Sequence, residues 1–260
     1  FKLVSSKKTR YLLPNILTLA GVCLGISSIK FSIDGNFSLA VTLILLASIL
    51  DALDGRIARL IKGTSEFGKE LDSLTDFVSF GIAPVFILYF WELQNYGKLG
   101  WAISLIYSVC CVLRLARFNL TKIEETESWK NNFFEGIPSP AGGLLILMPL
   151  IYELTDLNLG IDIKKITPFL TVVIAILLVS KIPTLSLKKI SISPKTTVFL
   201  LLGIGIVFIA LLFYTLETLL IFGIGYLISI PISLMIYNNQ TKKILIKQLK
   251  KIMKMFYNEK

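Results

Sequence analysis

The sequence contains no histidine and few charged residues, and both shortages limit what the protein can do. Without histidine there is no imidazole base and no imidazole metal ligand, so any catalysis relies on carboxylates, lysine, tyrosine or cysteine. Charged residues make up only 17% of the 260 residues, against about 25% in soluble domains. A soluble globular enzyme and a disordered chain are therefore excluded.

Cysteine is also scarce, and its three positions carry no metal-binding or redox pattern. Cys23, Cys110 and Cys111 lie within apolar runs and show no CxxC spacing, so we interpret them as small core residues. The net charge is +10, but the basic residues form no motif typical of nucleic-acid binding. We therefore expect no nucleic-acid partner.

Apolar residues dominate what is present: 54% of the chain is hydrophobic and the mean hydropathy is +0.74. Because a spanning helix needs about 20 apolar residues, the fold class predicted is an all-α polytopic membrane helix bundle with about eight transmembrane helices. The predicted helices lie near residues 15–33, 37–61, 71–90, 99–120, 139–153, 166–182, 196–214 and 217–237. The fifth is short and follows Gly136, Pro138 and Pro140, so we expect a bent or re-entrant start there.

Lysine and arginine are distributed very unevenly between the predicted loops. Under the eight-helix prediction, 23 of the 27 lie on the side of the N terminus and four on the other side. Positive charge favours the cytoplasmic side of a membrane, so both termini are predicted to be cytoplasmic. In the tail, Leu245, Leu249 and Ile252 alternate with lysines at helical spacing, which predicts a basic amphipathic cytoplasmic tail over 241–260.

Four aspartates lie where the second predicted helix leaves the membrane and the third begins. Asp51 and Asp54 are three residues apart and Asp72 and Asp76 are four apart, so each pair lies on one face of its helix. If the intervening hairpin brings the pairs together, their repulsion requires protons or cations. Oxygen ligands without histidine or thiolate suit two Mg²⁺ or Mn²⁺ ions, and a two-metal site suits phosphoryl transfer.

The residues between the two pairs favour binding of a bulky anionic ligand. Gly55 and Ala58 leave one helix face free of large side chains, which lets a ligand approach the backbone. Arg59 offers a forked partner for phosphate. Two alternatives stay open at this point: a cation or proton pathway in a transporter, or aspartates paired with Arg56, Arg59 and Lys69.

Together these positions spell DxxDGxxAR, then eight residues, then GxxxDxxxD, which resembles the signature of the CDP-alcohol phosphatidyltransferase family. The resemblance implies a six-helix membrane core in which Asp51, Asp54 and Asp72 hold two divalent metals. It also implies that Asp76 takes part in the metal site and is the catalytic base. The CDP-lipid would be bound by further signature and first-helix positions: Asn15, Thr18, Gly55, Ala58, Arg59 and Gly68.

Three further segments, 67–84, 114–119 and 133–143, resemble the bacterial branch of that family whose acceptor alcohol is serine. This implies transfer of a phosphatidyl group from CDP-diacylglycerol to L-serine, with release of CMP, by a homodimer in the bacterial inner membrane. Transfer to glycerol 3-phosphate or an inositol phosphate stays open as an alternative. The domains expected are the family core over 1–185, additional transmembrane helices over 186–240, and the tail over 241–260.

The segment RLARFN places two arginines three residues apart at a cytoplasmic helix end. Arg114 and Arg117 are spaced to grip a carboxylate or a phosphate, and Asn119 follows them. We therefore predict that these three residues bind serine or phosphate. The alternative is that the arginines only extend towards the membrane surface, as basic residues at helix ends commonly do.

Overall fold

The computed structural model describes residues 11–121, 133–155, 157, 160, 162–185 and 194–258. Within these residues nearly all regular structure is helical, which confirms the all-α prediction. The helices are α1 (Leu12–Ile33), α2 (Phe37–Leu60), α3 (Glu66–Asp76), α4 (Ala83–Trp91), α5 (Lys98–Thr121), α6 (Ser139–Ile146), α7 (Met148–Leu154), α8 (Ile163–Val179), α9 (Pro194–Phe213) and α10 (Thr215–Asn258). A π turn (Phe77–Ile82) joins α3 to α4, and a 3₁₀ turn (Leu93–Tyr96) precedes α5.

Five helical segments in the described part of the chain are long and apolar enough to span a membrane. They are Leu12–Ile33, Phe37–Leu60, Glu66–Trp91, Lys98–Leu120 and Thr215–Asn239. Of the other three predicted spans, the fifth is divided into α6 and α7, α8 has 17 residues, and α9 has 20 residues, of which the described side chains, Phe199–Phe213, are apolar. The polytopic membrane fold is confirmed, and eight spans stays a prediction.

The fifth predicted helix is bent in its middle. It begins at Ser139, directly after Pro138, and breaks at Leu147, where Pro149 at the start of α7 cannot donate a backbone hydrogen bond to the preceding turn. The break at Leu147 was not predicted, whereas the chain also turns before the helix at Gly136, which has a positive φ of 74°; a re-entrant start stays a prediction.

A short antiparallel pair of strands lies beside this bent helix. Strand β1 (Phe133–Glu135) pairs with β2 (Pro183–Leu185), with Phe134 opposite Thr184. The pair connects the segment before α6 to the segment after α8. It also supports α10, because the Ser233 hydroxyl donates a hydrogen bond to the Pro183 carbonyl at 2.8 Å.

Helix α10 runs without interruption through the boundary expected near residue 240. The backbone of the predicted tail is therefore helical as far as Asn258, and no loop separates it from the last span. The side chains that form its predicted amphipathic pattern lie outside the described residues, as does the segment 186–193, where the predicted core ends.

The connection between α2 and α3 is a tight reversal. Lys62 adopts a positive φ of 53°, and the Gly63 amide donates to the Ala58 carbonyl at 2.8 Å, an arrangement that terminates helices. Ser65 then caps α3 by accepting a hydrogen bond from the Gly68 amide at 3.0 Å. This reversal turns the chain back, so the ends of α2 and α3 that carry aspartates lie side by side.

The π turn directly follows Asp76 and is held by α5. The Tyr107 hydroxyl donates to the Phe80 carbonyl at 2.9 Å, and the Ser108 hydroxyl lies 3.3 Å from the Gly81 carbonyl and 3.1 Å from the Ser104 carbonyl of its own helix. A π turn widens the helix and leaves carbonyl groups without their usual partners. The Tyr107 hydroxyl satisfies the Phe80 carbonyl, and Tyr107 is fully buried in the core at this point.

Candidate active site

Carboxylate oxygens from three aspartates converge where α2 meets α3. One oxygen each from Asp51, Asp72 and Asp76 lies within 4.8 Å of the others, and all three residues are partly buried. Asp51 comes from α2 and the other two from successive turns of α3. The hairpin therefore brings together three of the four aspartates that the sequence singled out.

The fourth aspartate, Asp54, lies outside this group of three. It is 4% exposed, and its Oδ2 accepts a hydrogen bond from the Thr18 hydroxyl at 2.5 Å. The sequence predicted Asp54 as a metal ligand and Thr18 as a contact for the CDP-lipid. The structure joins these two residues, so that α1 contacts the carboxylates carried by α2.

The three clustered carboxylates fit a divalent cation. Their negative charges repel strongly at this separation unless a positive charge or protons lie between them. The Oδ1 atom of Asp76 is buried and has no hydrogen-bond partner among the described residues, which is unusual for a native protein. An oxygen-rich group of this kind, without nitrogen or sulfur donors, suits hard ions such as Mg²⁺ or Mn²⁺.

The residues predicted to bind the CDP-lipid lie on α1, α2 and α3. The Asn15 side-chain oxygen lies beside Gly68, since a Cβ atom placed there would be 3.2 Å away. A Cβ atom on Gly55 would have its nearest neighbour, a nitrogen of Arg59, at 3.9 Å, so the backbone at Gly55 is open. Ala58 is partly buried and Arg59 is exposed. An accessible backbone therefore lies next to an exposed cation.

Arg114 is buried close to the same cluster. The residue is only 8% exposed. Its guanidinium donates a hydrogen bond to the Ser139 hydroxyl and lies 5.6 Å from the centre of the Phe118 ring. Asp76 is within electrostatic range of it. A buried guanidinium is costly unless anions compensate it, so this position is suited to an anionic ligand.

Arg117 and Asn119, which were predicted with Arg114 to bind the substrate, make contacts within the protein. The Arg117 guanidinium donates to the carbonyls of Val179 at 2.6 Å and Ser180 at 3.0 Å, at the end of α8. Asn119 donates to the Ser73 hydroxyl at 3.0 Å. The described contacts therefore connect these residues to α8 and α3, and their binding of substrate stays a prediction.

Ser139 and Tyr107 were not singled out from the sequence. Ser139 lies in a segment with family resemblance, between Pro138 and Pro140, and a hydroxyl at a helix start beside two prolines was a usable signal. Tyr107 offered only the weaker signal of a phenol inside an apolar helix, where a buried hydroxyl requires a partner.

Comparison with known proteins assigns most of the chain to one family. The family model described as CDP-alcohol phosphatidyltransferase matches residues 11–182. A Helicobacter pylori (strain ATCC 700392 / 26695) protein named CDP-diacylglycerol--serine O-phosphatidyltransferase is 35% identical over 218 residues, covering 84% of this chain and 89% of the relative. A Bacillus subtilis (strain 168) protein of the same name is 33% identical over 149 residues, which cover 57% of this chain and 81% of the relative.

A Mycobacterium leprae (strain TN) protein with that name is 38% identical over 187 residues, which make up 70% of this chain. The chain spans 61% of the length of this mycobacterial relative. The matched region contains α1 to α8 and all four aspartates, and the expected signature is present without a gap. The chain therefore belongs to the CDP-alcohol phosphatidyltransferase family.

Proposed function

We propose that this protein transfers the phosphatidyl group of CDP-diacylglycerol to L-serine, forming phosphatidylserine and CMP. The observation that carries the proposal is the convergence of Asp51, Asp72 and Asp76 at a membrane helix hairpin, with the buried cation of Arg114 beside it. Relatives named for this reaction support serine as the acceptor.

Two Mg²⁺ or Mn²⁺ ions would be held by Asp51, Asp54, Asp72 and Asp76, and the unpartnered Oδ1 of Asp76 supports this assignment. When bound, the ions supply charge neutralisation for the diphosphate of the CDP-lipid and for the departing CMP. Thr18 orients the Asp54 carboxylate through its hydrogen bond. Asn15, Gly55, Ala58, Arg59 and Gly68 form the surface that receives the nucleotide.

Asp76 removes the proton from the serine hydroxyl. As that proton moves to the Asp76 carboxylate, the serine oxygen forms a bond to the lipid-side phosphorus of the diphosphate. The bond between this phosphorus and the bridging oxygen breaks, and CMP leaves with the electron pair. Positioning and electrostatic stabilisation account for most of the catalysis in such a reaction.

Arg114 binds the serine carboxylate, which orients the hydroxyl towards Asp76. A guanidinium matches a carboxylate with two parallel hydrogen bonds, and burial strengthens such an interaction. Arg117 and Asn119 border the same region. Serine differs from an uncharged alcohol in carrying this carboxylate, so the interaction favours serine.

The site lies at the membrane edge, so the acyl chains stay in lipid while serine and CMP exchange with the cytoplasm. The uneven distribution of lysine and arginine supports cytoplasmic termini and a cytoplasmic site. We assign the protein to the bacterial inner membrane and expect a homodimer.

The experiment that tests the proposal is release of CMP from CDP-diacylglycerol by the purified protein with Mg²⁺ or Mn²⁺. Labelled serine, glycerol 3-phosphate and an inositol phosphate are added separately. We expect release, and labelled lipid, only with serine. Lipid labelled by another alcohol alone would show that the acceptor is different, and ion flux in proteoliposomes without CMP release would indicate a transporter.

A further inference from the structure

Two buried side-chain oxygens among the described residues have no hydrogen-bond partner: Asp76 Oδ1 and the Tyr226 hydroxyl. Asp76 belongs to the candidate site. Tyr226 lies on α10, beyond the 11–182 region that matches the family. Burying a hydroxyl without a partner is destabilising, and a ligand group could bind this hydroxyl as a metal ion could bind Asp76.

The face of α10 that carries Tyr226 is turned towards the rest of the protein. Three residues before it, Gly223 is so close to Met148 of α7 that a Cβ atom would overlap the Met148 sulfur. Seven residues after it, the Ser233 hydroxyl bonds the Pro183 carbonyl at 2.8 Å. These spacings place Gly223, Tyr226 and Ser233 on one helix face. Tyr226 is therefore held between two fixed contacts.

The surroundings of the Tyr226 hydroxyl contain a cation and a second hydroxyl. The Thr184 hydroxyl lies near the Tyr226 hydroxyl, but its own hydrogen is donated to the Gly136 carbonyl at 2.8 Å. The Arg114 guanidinium interacts electrostatically with both Tyr226 and Asp76. The two residues with unpartnered oxygens thus share one buried cation as an electrostatic neighbour.

We propose that Tyr226 is a specificity-determining residue, whose hydroxyl donates a hydrogen bond to the anionic group of the acceptor alcohol while Arg114 binds the same group. This inference rests on the proposed function, in which that group is the serine carboxylate. A neutral donor beside a guanidinium suits an anion with two or more acceptor oxygens. The last span, outside the family's matched region, then contributes directly to the choice of acceptor.

The test compares Tyr226→Phe with the wild-type enzyme, both as full-length protein. Since a hydrogen bond to a charged group is lost, we expect the KM for serine to rise about tenfold, while the KM for CDP-diacylglycerol changes by less than about twofold. Tyr214→Phe is the matched control, because the Tyr214 side chain is 64% exposed and the same hydroxyl is removed. An unchanged KM for serine in Tyr226→Phe would overturn the proposal.

A second comparison uses serinamide, which keeps the attacking hydroxyl but has no carboxylate charge. We expect the preference of the wild type for serine over serinamide, as a ratio of kcat/KM, to fall about tenfold in Tyr226→Phe. Equal losses for both alcohols would mean that Tyr226 serves only structure, and the proposal would then be wrong. Unchanged Mn²⁺ binding in the variant checks that the aspartate cluster is intact.

Failure of the proposed function gives a different result. If the wild type releases no CMP with serine but does so with glycerol 3-phosphate or an inositol phosphate, the serine assignment is wrong. The KM of Tyr226→Phe for that phosphate-bearing alcohol then decides the role of Tyr226, since an increase supports contact with the anionic group and no increase contradicts it. Turnover of only uncharged alcohols would overturn both proposals.

Discussion

The Thr18 hydroxyl donates a hydrogen bond to Asp54 Oδ2 at 2.5 Å, which connects the first helix to the second at the candidate active site. Both residues are buried. The Pro14 carbonyl lies 3.0 Å from the same hydroxyl, but a hydroxyl has only one hydrogen to donate, and the carboxylate is the nearer and stronger acceptor. Thr18 is therefore placed to set the orientation of Asp54.

Replacing Thr18 with valine keeps the shape of the side chain and removes this hydrogen bond. Groups that orient metal ligands typically change metal affinity about 10- to 100-fold when lost, so we expect weaker Mn²⁺ binding by about tenfold or more in calorimetry. Thr42→Val is the control, since the Thr42 hydroxyl bonds only the Ser38 carbonyl of its own helix among the contacts described. Equal Mn²⁺ affinity in both variants would contradict an orienting role for Thr18.

Asp76→Asn separates proton transfer from lipid binding. An amide keeps an oxygen for a metal ion but cannot accept the serine proton, so turnover should fall by about 100-fold or more. Binding of CDP-diacylglycerol, measured with the radiolabelled lipid, should be retained. Normal CMP release by this variant would show that Asp76 is not the base.

Asp51→Ala and Asp72→Ala test the metal assignment directly. Each removes one of three carboxylates whose oxygens lie within 4.8 Å, so the affinity for Mn²⁺ should fall by at least about tenfold. Asp34→Ala is a suitable control, because Asp34 pairs with Lys30 at an exposed position at the end of α1 away from this cluster. Unchanged calorimetric binding in both cluster variants would exclude these residues as ligands.

Lysine substitutions of Arg114 and Arg117 should have different effects. Arg117 donates to two carbonyls at the end of α8, and hydrogen bonds to charged groups contribute about 1.5–3 kcal/mol. Arg117→Lys should therefore lower the Tm, whereas Arg114→Lys should mainly raise the KM for serine. Thermal unfolding in detergent and serine titrations measure the two effects. A raised KM without a change in Tm for Arg117→Lys would favour a substrate contact for Arg117.

Gly81→Ala should disturb the π turn that follows Asp76. A Cβ atom at this position would lie 2.8 Å from the Phe77 ring and 3.0 Å from the Cys111 sulfur, and overpacking of this kind costs about 1–3 kcal/mol. We expect a lower Tm together with a lower kcat. Gly205→Ala in α9 is the control, because a Cβ atom there meets nothing within 4 Å. A Gly81→Ala protein as stable and active as the control would show that the π turn tolerates the methyl group.

Most of the helical fold was predictable because membrane helices have long apolar runs that end in polar residues. The predicted ranges 15–33 and 37–61 differ from α1 and α2 by three residues or fewer at each end. The division of the fifth helix at Leu147 was less predictable. Pro149 signals such a break, but its exact position depends on how the two halves pack against α8 and α10.

The aspartate spacing alone was sufficient to indicate a shared acidic site, because helical periodicity puts residues three or four apart on one face. It did not indicate which aspartates meet, and the structure groups Asp51 with Asp72 and Asp76 while Asp54 is bonded by Thr18. That distinction depends on the reversal at Lys62 and on the depth at which α1 packs.

The chemistry of the signature and the membrane character are local properties, carried by residue type, spacing and hydropathy, so they can be read without coordinates. The surroundings of Arg114 depend on contacts between distant parts of the chain, because Asp76, Ser139 and Tyr226 come from three different helices. No periodicity along one helix encodes such a meeting point. Only the packing of α10 against α7 and β2 buries the Tyr226 hydroxyl and brings it under the influence of the Arg114 cation.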